Sequence, residues 1–180
     1  MLNIILFLIP IAIIVVLALA ARQPDDFRIT RTGRISAAAS AIFPHVNTLQ
    51  SWDAWSPWAK LDPNAKNSFE GPTEGVGAKM SWAGNNKVGV GSMTITESRP
   101  SDFIQFKLEF QKPMKATNIA EFTFTPEGDQ TIVTWSMSGT NNFMGKVMGM
   151  IMNCDKMCGG MFERGLAALK MVVEERAEKI

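Results

Sequence analysis

Between residues 67 and 140 the chain alternates with a period of two. Ile104, Phe106, Leu108 and Phe110 are interleaved with Gln105, Lys107 and Glu109, and Ala120, Phe122 and Phe124 with Glu121, Thr123 and Thr125. Val133, Trp135 and Met137 alternate in the same way with Thr134 and Ser136. Successive side chains of a strand point to opposite faces, so these segments predict an antiparallel sheet with one apolar and one wet face. The strands are expected at Ser68 to Gly71, Gly77 to Ala83, Ser92 to Arg99, Phe103 to Gln111, Ile119 to Pro126 and Thr131 to Gly139. Gly84-Asn85-Asn86, Pro100-Ser101-Asp102 and Glu127-Gly128-Asp129 carry the residues of tight connections, which makes the arrangement a meander. Phe27 to Ala37 reads as a further, first strand with Arg28, Arg31 and Arg34 on its solvent face, about seven strands in all.

Two stretches change to a helical period. Ala38 to Leu49 places Ile42, Phe43, Val46 and Leu49 inward, with Ser40 as a candidate N-cap and Pro44 early in the helix. Phe143 to Val173 reads as one long, methionine-rich amphipathic helix that closes the chain. Phe143, Val147, Ile151, Cys154, Cys158, Met161, Phe162, Gly165, Leu169 and Val172 form its apolar band, opposite Lys156, Glu163, Lys170 and Glu174. Gly165 lies on the inner stripe, where a missing side chain permits close approach to the sheet. Gly145, Gly149 and Gly160 lie outside it and lower helix propensity by up to about 1 kcal/mol each relative to alanine. Between the two helices, Trp52, Trp55 and Trp58 bring large apolar areas that predict a plug under the sheet's edge or at the mouth of a pocket. The fold class is α+β, a curved antiparallel sheet wrapped around a long C-terminal helix.

Met1 to Ala21 is apolar on every side and has no charged side chain before Arg22. About 20 helical residues span the ~30 Å hydrocarbon core of a bilayer, so residues 1–21 are expected to form a transmembrane helix. Residues 22–26 then serve as a linker and residues 27–180 as the folded domain. Ala18-Leu19-Ala20 also fits a signal-peptidase site, which would make the protein exported after cleavage. The absent basic leader and the long apolar run favour a retained anchor. Arg22, Arg28, Arg31 and Arg34 after the span, against no basic residue before it, orient the domain to the cytoplasm under the positive-inside rule.

Composition narrows the chemistry. The 180 residues carry a formal net charge of +1 with the signs interspersed, which provides no basic footprint for nucleic acid. Tyrosine is absent and His45 is the one histidine, which removes two common acid-base and ligand types. Cys154 and Cys158 stand four apart on the core face of one helix, and their diverging side-chain vectors favour two reduced, buried thiols over a bridge. No further His or Cys stands at metal-ligand spacing, so neither metal nor cofactor is expected. Gly75-Val76-Gly77 and Gly89-Val90-Gly91 lack the Lys and Ser/Thr of a nucleotide loop and read as turn or bulge glycines.

Several stretches carry a family likeness: Trp52 to Trp58, Phe69-Glu70-Gly71-Pro72, Gly75 to Trp82, Gly91-Ser92-Met93-Thr94-Ile95, Thr131 to Gly139 and Phe162-Glu163-Arg164-Gly165-Leu166. In these parts, and in the order of its elements, the chain resembles the START-like helix-grip superfamily (SRPBCC). Within it, the likeness is to the polyketide cyclase/dehydrase and lipid-transport branch, in particular membrane-anchored bacterial members. The resemblance implies a helix-grip fold with a cavity between sheet and closing helix, used in the superfamily for lipids, sterols, polyketides and other bulky apolar ligands. No catalytic motif of the family falls on a matching position.

The function expected is a membrane-anchored, non-catalytic domain that binds a lipid or other bulky apolar ligand. Trp82, Met93, Phe106, Phe110, Phe124, Trp135, Val147, Ile151 and Cys158 are the candidate pocket-lining residues, chosen because they point between sheet and helix; for each, simple core packing is the competing role. A polyketide cyclase/aromatase-like enzyme is the first alternative. It would need an acid or base in the cavity, for which Asp53, Glu70, Glu97 and Glu121 are the candidates, although alternation places Glu121 on the wet face. A protein interaction module with a filled core is the second. It would dock a partner on the exposed sheet or on the Met144, Met148, Met152 side of the helix.

Overall fold

The computed structural model describes residues 14–141, 143–151 and 154–177. Seven antiparallel strands form one sheet: β1 (Asp26–Ile35), β2 (Lys66–Glu70), β3 (Lys79–Ala83), β4 (Val90–Arg99), β5 (Phe103–Lys112), β6 (Ala116–Glu127) and β7 (Gln130–Thr140). Their order is β1-β7-β6-β5-β4-β3-β2. The first strand therefore pairs with the last, and the second lies on the far edge. Chain 36–65 must cross the whole width of the sheet, and it does so over the inner face as α1 (Ala39–Asn47), a 3-10 turn (Leu49–Ser51) and α2 (Trp52–Trp55). Two C-terminal helical segments, α3 (Phe143–Ile151) and α4 (Cys154–Ala177), complete the fold.

The period of two holds across the meander. Ile104, Phe106, Ala120, Phe122, Phe124, Val133 and Trp135 are buried on the inner face. The outer face carries a polar ladder. Arg28 Nη2 donates to Glu121 Oε2 and to Ser136 Oγ, both at 2.9 Å, and Thr96 Oγ1 donates to Gln105 Oε1 at 3.0 Å. Gly75, Gly77 and Gly89 adopt positive φ, and the β4–β5 register shifts between Val90 and Gly91, so both glycine triplets are turn and bulge elements.

The structure corrects several expectations. Arg31 is not on the solvent face of β1. It shares the inner parity with Phe27, Ile29, Gly33 and Ile35, and its guanidinium crosses to α4. Nε donates to Glu163 Oε1 at 2.7 Å, Nη1 to the Thr30 carbonyl at 2.8 Å and to Asp155 Oδ1 at 3.2 Å, and Nη2 to Asp155 Oδ2 at 3.0 Å and its carbonyl at 3.2 Å. Gly159 lies between Asp155 and Glu163, where a Cβ would collide with the guanidinium. The Arg31 charge holds the Asp155 carboxyl below its ordinary value through this hydrogen bond. The helix α1 is capped by Ala38 rather than Ser40, and Pro44 lies inside it. Pro44 and Ser40 are both exposed, so the hydrogen bond that proline cannot donate is lost on the solvent side of the helix.

The buried stripe of α4 runs through Gly159, Phe162, Gly165, Leu166, Leu169 and Val173. Leu166 and Val173 join the expected band because β1 and α2 flank the helix and widen its covered face, and Phe143 of α3 is 48% exposed. A Cβ on Gly165 would lie 2.7 Å from Trp135 Cζ3 and 3.1 Å from Pro57 Cδ, whereas one on Gly160 would meet nothing within 4 Å.

The expected transmembrane helix is also corrected. Residues 14–21 are helical, and residues 1–13 lie outside the described residues. Among the described residues no helix is long and apolar enough to cross a membrane, which overturns the assignment as a single-pass membrane protein with a cytoplasmic domain.

Three measurements follow. Urea melts of Gly165→Ala should show a loss of about 1–3 kcal/mol from overpacking. Gly160→Ala should gain about 0.5–1 kcal/mol, since only helix propensity changes there. Because the folded carboxyl of Asp155 is depressed, its stabilisation is fully present above the unfolded value of about 3.9 and fades as pH falls through the lower folded value. The stability difference between wild type and Asp155→Asn should therefore be constant near neutrality and shrink below about pH 4.

Candidate functional site

The site is built on the crossing segment. Trp52 and Trp55 bury their rings under the sheet while each indole keeps a partner: Trp52 Nε1 donates to the Val46 carbonyl at 2.9 Å and Trp55 Nε1 to that of His45 at 3.0 Å. Both acceptors are near the C-terminal end of α1, so the polar ends of the two indoles tie α2 to α1 while their apolar bodies face inward. Trp52 meets Phe106 edge-on at 5.4 Å, Trp55 meets Trp135 at 5.7 Å, and Phe122 lies tilted on Trp135 at 4.7 Å. From the helix side, Phe162 stacks on Trp135 at 4.3 Å with 7° between the planes.

Beside this aromatic block the sheet and the crossing chain separate and leave a cavity of about 440 Å³. Its floor is the inner face of β3 to β7, with Met80, Trp82, Met93, Phe106, Leu108, Phe110, Ala120, Trp135 and Met137. Its roof is Trp52, Asp53, Ser56, Trp58, Ala59, Asp62, Pro63 and Ala65, closed on one side by Cys158 and Phe162 of α4. Asn67 and Val88 complete the lining. The volume is within the roughly 300–1,000 Å³ of small-molecule sites, and the predominance of aromatic and aliphatic side chains suits an apolar guest. A broader hollow of about 580 Å³ opens on the outer sheet face between Lys79, Glu109, Gln111, Lys115 and Thr117. It is lined mainly by solvated polar side chains and has no apolar floor of comparable extent.

Of the candidate residues, Trp82, Met93, Phe106, Phe110, Trp135 and Cys158 stand on the cavity wall. Phe124 does not reach it, because its ring packs edge-on against Phe43 at 5.5 Å, beneath α1. Val147, half-buried on α3, is not part of the wall, and the side chain of Ile151 lies outside the described residues. The cavity therefore borders the crossing segment more than the closing helix, because α4 packs along β1, at the opposite edge from β2 and β3. Cys158 is a half-buried wall residue; the side chain of Cys154, like those of Met144, Met148 and Met152, lies outside the described residues. Leu108 and Met137 were missed although alternation had placed them on the inner face, and nothing local marked Met80 or the roof residues after Trp58.

The candidate acids separate clearly. Glu70 pairs with Lys79 at 3.1 Å, Glu97 with Arg99, and Glu121 with Arg28 on the outer face. Asp53 alone of the four lines the cavity. Asp62, also on the wall, accepts the Asn64 N–H at 3.0 Å through Oδ1 and the Asn85 N–H at 2.7 Å through Oδ2. Its carboxylate thereby holds two turns together. Among the described residues no cluster of three or more His, Cys, Asp or Glu could hold a metal ion.

A sheet wrapped on a C-terminal helix, with an apolar cavity against its inner face, defines a helix-grip domain. Residues 26–174 match the model of the family described as polyketide cyclase / dehydrase and lipid transport, and the chain belongs to that family. No curated protein matches the chain in sequence. Solved structures share its fold. Protein CV1439 from Chromobacterium violaceum is 15% identical, over 84% of this chain and 99% of that one, at a TM-score of 0.59. The Aha1 protein of Colwellia psychrerythraea, a dimer in solution, is 17% identical over 80% and 96%, at 0.53. The di-domain ARO/CYC StfQ from the steffimycin biosynthetic pathway is 13% identical over 85% of this chain, which spans 52% of it, at 0.64.

The two sides of the wall should respond differently to truncation. Phe106→Ala removes a fully buried ring of the aromatic block and should cost about 3–5 kcal/mol in a denaturant melt. Trp82→Ala, at a half-buried wall position, should cost measurably less, because its ring is only partly removed from water in the folded state and less apolar contact is lost with it.

Proposed function

We propose that residues 27–180 form a non-catalytic domain that holds a lipid or another bulky apolar molecule in the 440 Å³ cavity. The observation that carries this reading is the composition of the wall. Four tryptophans, Trp52, Trp58, Trp82 and Trp135, and three methionines, Met80, Met93 and Met137, face one space. Aromatic faces supply area for a flat or branched hydrocarbon, and unbranched thioethers adapt to its outline. The carboxylates that acid-base catalysis would use are largely elsewhere: Glu70, Glu97 and Glu121 are in ion pairs away from the wall, and Asp62 is committed to backbone N–H groups.

A cyclase-type enzyme is the second reading. The likeness to an ARO/CYC protein and the position of Asp53 on the wall favour it. An apolar, carbonyl-bearing substrate would need Asp53 within hydrogen-bond reach of the proton it moves.

The first reading is tested by mildly purifying the full chain, extracting it with organic solvent and identifying released molecules by mass spectrometry. A stoichiometric apolar compound in the extract is the expected result, and none would sink the proposal. Leu108→Trp, which adds bulk at a half-buried wall position, should lower the recovered ligand several-fold while circular dichroism stays unchanged. Turnover of an apolar polyketone that is lost in Asp53→Asn would move the assignment to the enzyme.

A further inference from the structure

The two edges of the sheet are treated differently. β1 has α4 packed along it, whereas β2 ends the strand order on the far side, and all of its residues from Lys66 to Glu70 are exposed. Among the described residues no backbone group outside the sheet bonds to β2, so its N–H and C=O groups facing away from β3 have no protein partner. Phe69 is 39% exposed on this strand although its parity is that of the inner face. It is paired with Met80, and Asn67, paired with Trp82, lines the cavity. The free edge of the sheet is therefore also a rim of the cavity.

Charged side chains on an edge ordinarily discourage a second chain from adding to it. In β2 the charges are of opposite sign at the two ends, Lys66 and Glu70, with Ser68 midway. When two copies pair antiparallel about Ser68, Lys66 of each stands opposite Glu70 of the other, and Asn67 opposite Phe69. Directly opposed residues share a face, so a register displaced by one residue would set inner side chains against outer ones, and one displaced by two loses both charge pairs. Pro63 and Pro72 flank the strand and confine the pairing to it. Glu70 meets Lys79 through Oε2 at 3.1 Å, which leaves Oε1 for the copy, and Lys66 has no carboxylate partner among the described residues.

We propose that β2 is a dimerisation edge. A second copy of this chain adds to it antiparallel about Ser68, continues the sheet across a two-fold axis and brings the copy's Phe69 beside Asn67 on the cavity rim. Such a dimer needs no ligand, so it stands or falls apart from the binding reading. A strand of this length makes a small interface, and the dimer is accordingly concentration-dependent and weakened by salt.

The test is sedimentation equilibrium of the full chain in low salt, from about 10 µM to about 1 mM, on wild type and two charge reversals. Lys66→Glu leaves the strand with two acidic ends and Glu70→Lys with two basic ones, so like charges meet in either homodimer. Each variant alone should raise the dissociation constant about tenfold or more, since both pairs change from attractive to repulsive. Mixed in equal amounts, the two variants restore opposite charges at both pairs, and the mixture should dimerise within about threefold of wild type. Recovery on mixing separates this edge from association through any other surface and from a variant that simply folds less well. A wild type that stays monomeric over the whole range, single variants that dimerise as wild type does, or a mixture no better than its components would each overturn the assignment.

Discussion

The structure depends on how closely α4 approaches the sheet at Gly165. There the ring of Trp135 lies where a Cβ would stand, and Phe162, one turn earlier, stacks on the same ring at 4.3 Å. Gly33 on β1 repeats the device, bringing Leu166 to 3.2 Å of the space its own Cβ would fill. Two missing side chains let the helix settle onto one end of the sheet. Arg31 then fixes its position along β1 by reaching both Asp155 and Glu163. The ion pairs are partly exposed and contribute little to stability individually, so their role is to set register more than to add energy.

Seating the helix over β1 and β7 has a consequence for the rest of the inner face. The floor formed by β3 to β6 is left for the crossing chain to cover, and that chain is short. Trp52 and Trp55 fill the space nearest the helix completely, each buried and each hydrogen-bonded through its indole N–H. Beyond Trp58 the segment runs Ala59, Lys60, Leu61, Asp62, Pro63, Asn64 and Ala65, and the members that line the cavity, Ala59, Asp62, Pro63 and Ala65, are too small to fill the remaining depth. The cavity is what results when a sheet this wide meets a roof of falling side-chain volume.

The polar groups follow from the same geometry. A turn-rich segment needs Asp and Asn to satisfy its backbone, and Asp62 and Asn85 do this for each other's turns. Some of those groups necessarily face the cavity. Asp62 is one of them, so a carboxylate committed to backbone N–H groups stands on a largely apolar wall, and family membership agrees with a domain of this shape without specifying what occupies it.

The sequence by itself determined the sheet. Alternation fixed which side of each strand is buried, since a period of two admits no other arrangement once one face is apolar. It also placed six of the cavity-wall residues on the inner face and marked the tryptophan segment as a plug. The same parity contained the inward direction of Arg31, which reading it by charge alone concealed. Only the tertiary structure decided where the cavity would lie. Phe124 and Phe106 have the same local pattern, yet Phe124 is covered by Phe43 while Phe106 borders open space. Whether an inward side chain becomes core or wall depends on what packs above it, and that is set by the placement of α4 and the path of residues 36–65, neither of which is encoded at the position concerned.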